Sequence, residues 1–284
     1  MKCFRLFWLF FCGIVVASGF AESRHPLRTR KEEFPISSNK PLEVLVEVSV
    51  GEVIIEKSPI EKTLTVWVVY NEDVCELDLE FLPKQNQFYL ELTNVDKFWR
   101  DKCKDSIQVR IGLPRDVELS LEGKLKVGNS RLDLGGLRLK EVKFSQWVGE
   151  LDMEFATPNQ MVMERLEIKN KVGSLSLHHL GNARSRKSWI KNGIGQSDLD
   201  FRGQMEPESR VKIDSQLGQL SVLFPDSIGV RVKFLGWSPM THKEMGSGFH
   251  KKGSSYYSDD YETQPHHSFF LISSTLGEVL LKRE

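Results

Sequence analysis

Apolar and polar residues alternate in short runs along this chain, and each run follows a glycine with a large aliphatic residue directly before it. The glycines are Gly51, Gly128, Gly149, Gly173, Gly195, Gly218 and Gly277. In the five central runs the fourth residue after the glycine is apolar, whereas the third and fifth are mostly polar. This period of two is typical of a strand with one buried and one solvated face. It predicts inward positions at Leu132, Met153, Leu177, Leu199 and Val222.

The sixth residue after each glycine is also predicted to point inward. It is apolar at Leu134, Phe155, Phe201 and Phe224, and the exception is His179, which is expected to disturb the packing of its own repeat. A glycine before each strand fits a tight corner, where positive φ or the close approach of a neighbouring strand excludes a Cβ atom.

The spacing of the glycines predicts the architecture. In the middle of the chain they are 21, 24, 22 and 23 residues apart. A near-regular period of this length is typical of stacked coils rather than of one globular core. We therefore predict an all-β protein, a single-domain β-solenoid with a period of about 22 residues.

The first residues have the three-part pattern of a secretory signal peptide. Lys2 and Arg5 precede an apolar run, and small residues end at a cleavage site after Ala21. The predicted organisation is a signal peptide at residues 1–21, a flexible polar leader at 22–41 and the β-solenoid domain at 42–284. The alternative, an uncleaved anchor, is disfavoured because the apolar run is short for a bilayer span. The mature chain is expected in the periplasm or cell envelope of a bacterium.

Cysteine usage agrees with export. Cleavage would leave Cys75 and Cys103, an even pair in an oxidising compartment, and we predict a disulfide between them. The alternative is two separately buried thiols.

The net charge and the sequence motifs limit the classes of function that fit this chain. The formal net charge is zero, which does not favour a nucleic-acid partner. The paired histidines at 178–179 and 266–267 lack the spacing of a zinc site, and no nucleophile elbow, phosphate-binding loop or metalloprotease helix motif occurs. We therefore predict no catalytic residue, no cofactor and no metal ligand, and a protein that is not an enzyme.

Outward positions of successive repeats are predicted to stack into an acidic stripe. Its residues are Asp133, Asp152, Glu154, His178, Asp198 and Asp200, with Arg131 and Ser176 in the same columns. Like charges stacked at strand spacing repel each other, so the stripe could bind calcium or a cationic partner. The alternative is a solvated face on which Arg131 and His178 relieve the repulsion.

Several ordered segments resemble one protein family. They are LDLGGLRLKEVKF at 132–144, VGELDMEF at 148–155, MERLEIKNKVG at 163–173, the run at 180–203 and the end piece at 228–280. Together they are similar to the bacterial toast-rack domain, which is grouped with the putative-adhesin and cell-wall-active-antibiotic-response proteins. The resemblance implies an exported, envelope-associated β-solenoid and supplies no catalytic residues.

Three classes of function follow. The first is a non-enzymatic, adhesin-like or scaffold module that presents a repetitive β-surface to an envelope protein or glycan. The second is an envelope-stress sensor or regulator that docks to a membrane protein, as the antibiotic-response resemblance implies. The third is a polysaccharide lyase or hydrolase with carboxylates in register on one face. Exposed edge strands also make a homo-oligomer possible.

Overall fold

The computed structural model describes residues 27–37, 40–94, 107–236 and 240–284. The predicted signal peptide at residues 1–21 lies outside these ranges. The described residues form β-strands, together with one short 3-10 helix at Leu180–Ala183. The all-β prediction is therefore confirmed.

The strands share one sheet system and are numbered in chain order. The first seven are β1 Arg28–Pro35, β2 Leu42–Lys57, β3 Thr63–Tyr70, β4 Cys75–Leu82, β5 Gln87–Asn94, β6 Gln108–Leu113 and β7 Glu118–Asp133. The next seven are β8 Arg138–Val148, β9 Leu151–Glu154, β10 Arg165–Val172, β11 Leu175–His178, β12 Lys187–Ile194, β13 Ser197–Asp200 and β14 Arg210–Phe224. The last five are β15 Gly229–Phe234, β16 Thr241–Met245, β17 Phe249–Lys252, β18 Ser255–Ser258 and β19 His267–Arg283.

The central strands pair in parallel, each with the equivalent strand of the next repeat. Strands β7, β8, β10, β12, β14 and β19 are successive neighbours before the glycine corner. After the corner, the C-terminal half of β7 is followed by β9, β11, β13 and the C-terminal half of β14. Equivalent positions of the repeats therefore lie side by side.

The spacing of about 22 residues does not extend over the whole chain. Strand β2 pairs directly with β7, although paired side chains such as Glu47 and Lys124 are 77 residues apart. At the other end, β14 pairs with β19 across 59 residues. The intervening segments form β3–β6 and β15–β18, which cover the two ends of the stack, partly through antiparallel pairs.

The repeated glycines form one column along the stack. All seven have φ between +129° and +139°. A Cβ atom at Gly149 would lie 1.7 Å from the carbonyl oxygen of Gly128, and one at Gly173 would lie 2.0 Å from that of Gly149. The corner therefore requires glycine for two reasons, the backbone conformation and the contact with the preceding repeat.

The predicted inward residues lie in the core. Leu132, Met153, Leu177, Leu199 and Val222 are all buried. The expectation for His179 is wrong: its side chain is 42% exposed. Its φ of 53° turns the chain into the 3-10 helix, where Leu180 is buried instead. A left-handed residue at this point moves the next apolar side chain into the core, so packing is kept.

A row of buried polar side chains lies just before the glycine corner. Its members are Gln146, Asn170, Asn192 and Ser215, one from each of four neighbouring strands. Asn192 donates to Oγ of Ser197 at 2.8 Å, and Gln146 donates to the carbonyl oxygen of Gly128 at 2.9 Å. The first bond joins the strand before the corner to the strand after it, and the second joins the strand before the corner to the corner of the preceding repeat. They satisfy polar groups that the core would otherwise leave unpaired.

Part of the predicted leader is ordered. Arg28–Pro35, inside the flexible leader expected at residues 22–41, forms β1 and pairs antiparallel with β3. The edge of β3 offers backbone groups to pair, and Phe34 packs against Phe81 and Phe88 with ring centroids 5.4 and 5.6 Å away. Anchoring by one aromatic residue lets an otherwise charged segment join the sheet.

Two further predictions concern residues near the ends of the stack. Cys75 is buried at the start of β4, and Cys103 lies outside the described residues, so the disulfide stays a prediction.

The outer strands β1 and β17 carry many charged side chains. Such charges disfavour edge-to-edge pairing, so a homo-oligomer formed through these edges also stays a prediction.

Candidate functional site

The predicted acidic stripe is built from the strands that follow the glycine corner. Arg131 of β7 lies beside Asp152 of β9, and Ser176 of β11 lies between Asp152 and Asp198. In the second column, Glu154 lies between Asp133 and His178. Asp200 ends the same strand that carries Asp198. The register thus places the predicted stripe residues in two adjacent columns.

Most of the carboxylates in the stripe have a polar or cationic neighbour. Lys57 Nζ lies 3.4 Å from Asp133 Oδ2, His178 Nε2 lies 3.6 Å from Asp152 Oδ1, and His179 Nδ1 lies 3.5 Å from Glu154 Oε1. Gln196 donates to Asp198 at 2.8 Å. Two of these partners, Lys57 and His179, were not expected from the sequence, because one comes from a distant strand and the other was expected to point inward.

Asp200 is engaged more tightly than the other members of the stripe. Its side chain is only 13% exposed, and Arg202 Nη2 lies 3.0 Å from Asp200 Oδ2. Burial raises the pKa of Asp200, but hydrogen bonds from the Arg202 side chain and backbone outweigh it, so the pKa is lowered overall. Asp200 therefore stays ionised and already has a cationic partner.

Four members of the stripe border a shallow groove. Arg131, Leu132, Asp133, Asp152, Glu154, His178 and His179 line a cavity of about 350 Å³. That volume lies within the range of small-ligand sites. Carboxylate oxygens are ligands of hard cations such as Ca²⁺, and the groove is lined by three carboxylates against a single arginine. The geometry suits a cation or a cationic group rather than an anion.

The calcium hypothesis makes a prediction for this groove. Millimolar calcium is expected to raise the melting temperature of the parent protein, because a ligand that binds only the folded state stabilises it. In the double variant Asp152→Asn/Glu154→Gln the rise should disappear. Thermal melting followed by circular dichroism measures both. An equal rise in the variant, or none in the parent, would show that the stripe is an ordinary solvated surface.

A second cluster involves residues that sequence reasoning passed over. His242, Glu244 and Glu278 bring ligand atoms within 4.8 Å of one another, so they could hold a metal ion. His242 and Glu244 lie two positions apart on β16, and Glu278 is the β19 neighbour of His242. The sequence contains a His-x-Glu pattern at 242–244, which is a signal for a metal site. The pairing of β16 with β19, which adds Glu278, was not predicted. His242 and Glu244 are exposed and Glu278 is half-buried, so the cluster does not establish a site.

None of the helices in the described part of the chain is long and apolar enough to cross a membrane. A comparison with curated proteins finds no match.

Comparison with solved structures finds proteins of several bacteria. The "putative cell adhesion protein" of Clostridium sporogenes is 16% identical, has a TM-score of 0.46 and aligns over 91% of this chain and 100% of its own. The "putative adhesin" of Bacteroides fragilis is 12% identical, has a TM-score of 0.39 and aligns over 90% and 97%. The "putative lipid binding protein" of Parabacteroides distasonis is 9% identical, has a TM-score of 0.27 and aligns over 90% and 96%.

The family comparison is more direct. The model described as the N-terminal domain of toast_rack, DUF2154, matches residues 23–178, which is more than half of the chain. This segment includes the first part of the stack, from β1 to β11. The chain therefore belongs to the toast_rack family.

Proposed function

We propose that this protein is a non-enzymatic, exported module of the cell envelope, adhesin-like in action, whose stacked repeats form a β-solenoid that presents a repetitive surface to a protein or glycan partner. The observation that carries the proposal is the parallel register of the central strands. It repeats the same outward positions on neighbouring strands about 4.8 Å apart. Extended, repetitive surfaces of this kind are used by solenoid proteins for binding.

The carboxyl groups with shifted pKa values are ion-pair partners rather than general acids. A glycosidase needs one carboxylic acid whose pKa is raised so that it can donate a proton. Four carboxyl groups in the described part of the chain have shifted pKa values, and all four are lowered: Glu167, Asp200, Asp214 and Asp260. In each of them burial raises the pKa, and hydrogen bonds to cationic or polar neighbours more than compensate. Such groups behave as ion-pair partners.

The acidic groove is the part of this surface that we propose for the partner. Its lining includes the carboxylates of Asp133, Asp152 and Glu154. A partner that places a cationic side chain or an amino sugar there would complement its charge. Export to the periplasm or cell envelope is part of the same proposal and rests on the signal pattern at the N-terminus.

Site-specific crosslinking in cells tests the proposal. A photoreactive amino acid is placed at Ser176 or Ser221, which flank Asp198 on the stripe face from the two strands beside β13, and at Lys251 on β17 as the control. We expect crosslinked species in the envelope fraction from the stripe positions and not from the control. Products sensitive to protease identify a protein partner, and products sensitive to wall hydrolases identify a glycan.

Two results would contradict the proposal. Recovery of the full-length chain in the cytosol would overturn export. Release of new reducing ends from cell-wall glycan, in proportion to added protein, would overturn the non-enzymatic assignment and support the hydrolase or lyase alternative.

A further inference from the structure

The aliphatic residues directly before the glycines form an exposed line on the outside of the stack. Val148, Val172, Ile194, Leu217 and Leu276 are between 37% and 48% exposed. We call these five residues the aliphatic ridge. The parallel register makes each of them the neighbour of the next. At a strand spacing of about 4.8 Å the ridge extends for roughly 19 Å.

The ridge has a structural origin in the corner of each repeat. The residue two positions before it, such as Asn170 or Asn192, points inward and bonds to the corner. Strict alternation ends there, so two consecutive side chains face outward, as Lys171 and Val172 show. An aliphatic residue at this position stays in water and gains little from the core. Its recurrence in repeat after repeat therefore indicates a surface that contacts something apolar.

A basic surface lies next to the ridge, on the strand halves before the corner. We call it the basic face, and it consists of the outward residues of β8, β10, β12 and β14: Glu141, Lys143, Arg165, Glu167, Lys169, Lys171, Lys187, Trp189, Lys191, Arg210, Lys212 and Asp214. Basic side chains clearly outnumber acidic ones on it.

The acidic residues of the basic face are already paired. Glu167 contacts both Arg165 and Lys169, and Glu141 lies 3.0 Å from Lys143. Asp214 accepts a hydrogen bond from Trp189 Nε1 at 2.9 Å and lies 3.1 Å from Lys212. In the described ranges, Lys171, Lys187, Lys191 and Arg210 have no carboxylate within ion-pair distance. These four cations are available for an external anion.

Trp147 joins the two surfaces. It is 49% exposed and directly precedes Val148 of the ridge. Lys171 Nζ lies 3.9 Å from the centroid of its ring. A half-exposed indole with a cation over it, beside aliphatic side chains, is suited to the boundary between water and lipid headgroups.

Across the ridge the charge is opposite. Glu150 and Glu278 follow the glycines, and the acidic stripe lies beyond them. An anionic surface would be repelled on that side and attracted on the basic face. The two sides of the ridge therefore define a single orientation for docking.

We propose that the aliphatic ridge, Trp147 and the basic face together form a docking surface for an anionic lipid bilayer. The cations contact lipid phosphates, and the ridge and the indole enter the headgroup region. A polyanionic glycan would use the cations but leave the ridge in water, whereas a lipid surface satisfies both features. The acidic stripe then faces away from the membrane. This inference does not depend on the partner proposed for the groove.

Vesicle co-sedimentation tests the proposal with the full chain. The probes are vesicles of equimolar phosphatidylglycerol and phosphatidylcholine, and vesicles of phosphatidylcholine alone. We expect binding to the anionic vesicles to exceed binding to the neutral ones by about tenfold or more and to fall as salt is added. Equal binding to the anionic and the neutral vesicles would overturn the proposal. Exposure of a hydrophobic N-terminal segment would produce that result.

Matched variants separate the two parts of the surface. The ridge variant is Val172→Thr/Ile194→Thr, the cation variant is Lys187→Gln/Lys191→Gln, and the control is Lys251→Gln/Lys252→Gln on β17. Both surface variants should lose about tenfold in affinity for anionic vesicles, while the control keeps the parent affinity. Loss in the cation variant alone would mean a purely electrostatic surface for polyanions and would overturn docking on a bilayer. Parent-like binding of both surface variants would also overturn docking on a bilayer.

A fluorescence measurement covers the case in which a variant does not fold. Brominated lipids quench an indole that lies in the headgroup region. Quenching in the parent, reduced in Trp147→Phe, is the expected result. Equal quenching in both proteins would overturn the proposal.

Discussion

Gly173→Ala is expected to lower the free energy of unfolding by at least about 3 kcal/mol, because it combines backbone strain with a steric clash. The φ of Gly173 is +129°, in a region that residues with a Cβ rarely adopt. The added Cβ would lie 2.0 Å from the carbonyl oxygen of Gly149, which is part of the neighbouring strand and cannot move alone. Gly173→Val should be worse still, since a β-branched side chain adds further contacts.

Gly253→Ala is the matched control for this column. Gly253 also has positive φ, at +63°, but its added Cβ would meet nothing within 4 Å. The expected loss is about 1 kcal/mol, the cost of a left-handed conformation alone. Chemical denaturation followed by circular dichroism gives both values. Equal losses at the two positions would show that the contact between glycines in the stack does not matter for stability.

Leu177→Ala and Leu199→Ala are each expected to lower the free energy of unfolding by about 2 to 5 kcal/mol. Both side chains are almost fully buried, on adjacent strands of the stack. Removing either one loses apolar burial and leaves a cavity between repeats that the rigid sheet cannot close.

Ser176→Ala, one residue before Leu177, faces outward and is expected to change stability by less than about 0.5 kcal/mol. Urea unfolding of the three variants measures the difference. Similar midpoints for all three would mean that the alternation of inward and outward residues in β11 has been assigned to the wrong faces.

Much of the strand pattern was predictable because it depends on local periodicity. The fourth residues after the glycines are buried as predicted. A period of two is a property of the extended chain itself, so it can be read without knowing which strands are neighbours. The same regularity allowed the columns of the acidic stripe to be predicted.

Two local predictions failed because tertiary context decided them. His179 has a left-handed backbone conformation that rotates its side chain out of the core, and the count from the glycine could not anticipate it. Arg28–Pro35 has a charged sequence with weak strand character, yet it pairs with the free edge of β3. In both cases the neighbour that stabilises the conformation is distant in sequence or outside the repeat.

By itself, the sequence determined the all-β class, the inward face of each repeat and the glycine corners, because these follow from alternation and from the conformational freedom of glycine. Only the tertiary structure decided which strands cover the ends of the stack, which cations reach the acidic stripe and that the aliphatic residues before the glycines face solvent. The pattern of apolar residues alone would have buried them. The corner reverses that expectation, because buried asparagine and glutamine side chains occupy the inward positions and satisfy the backbone there.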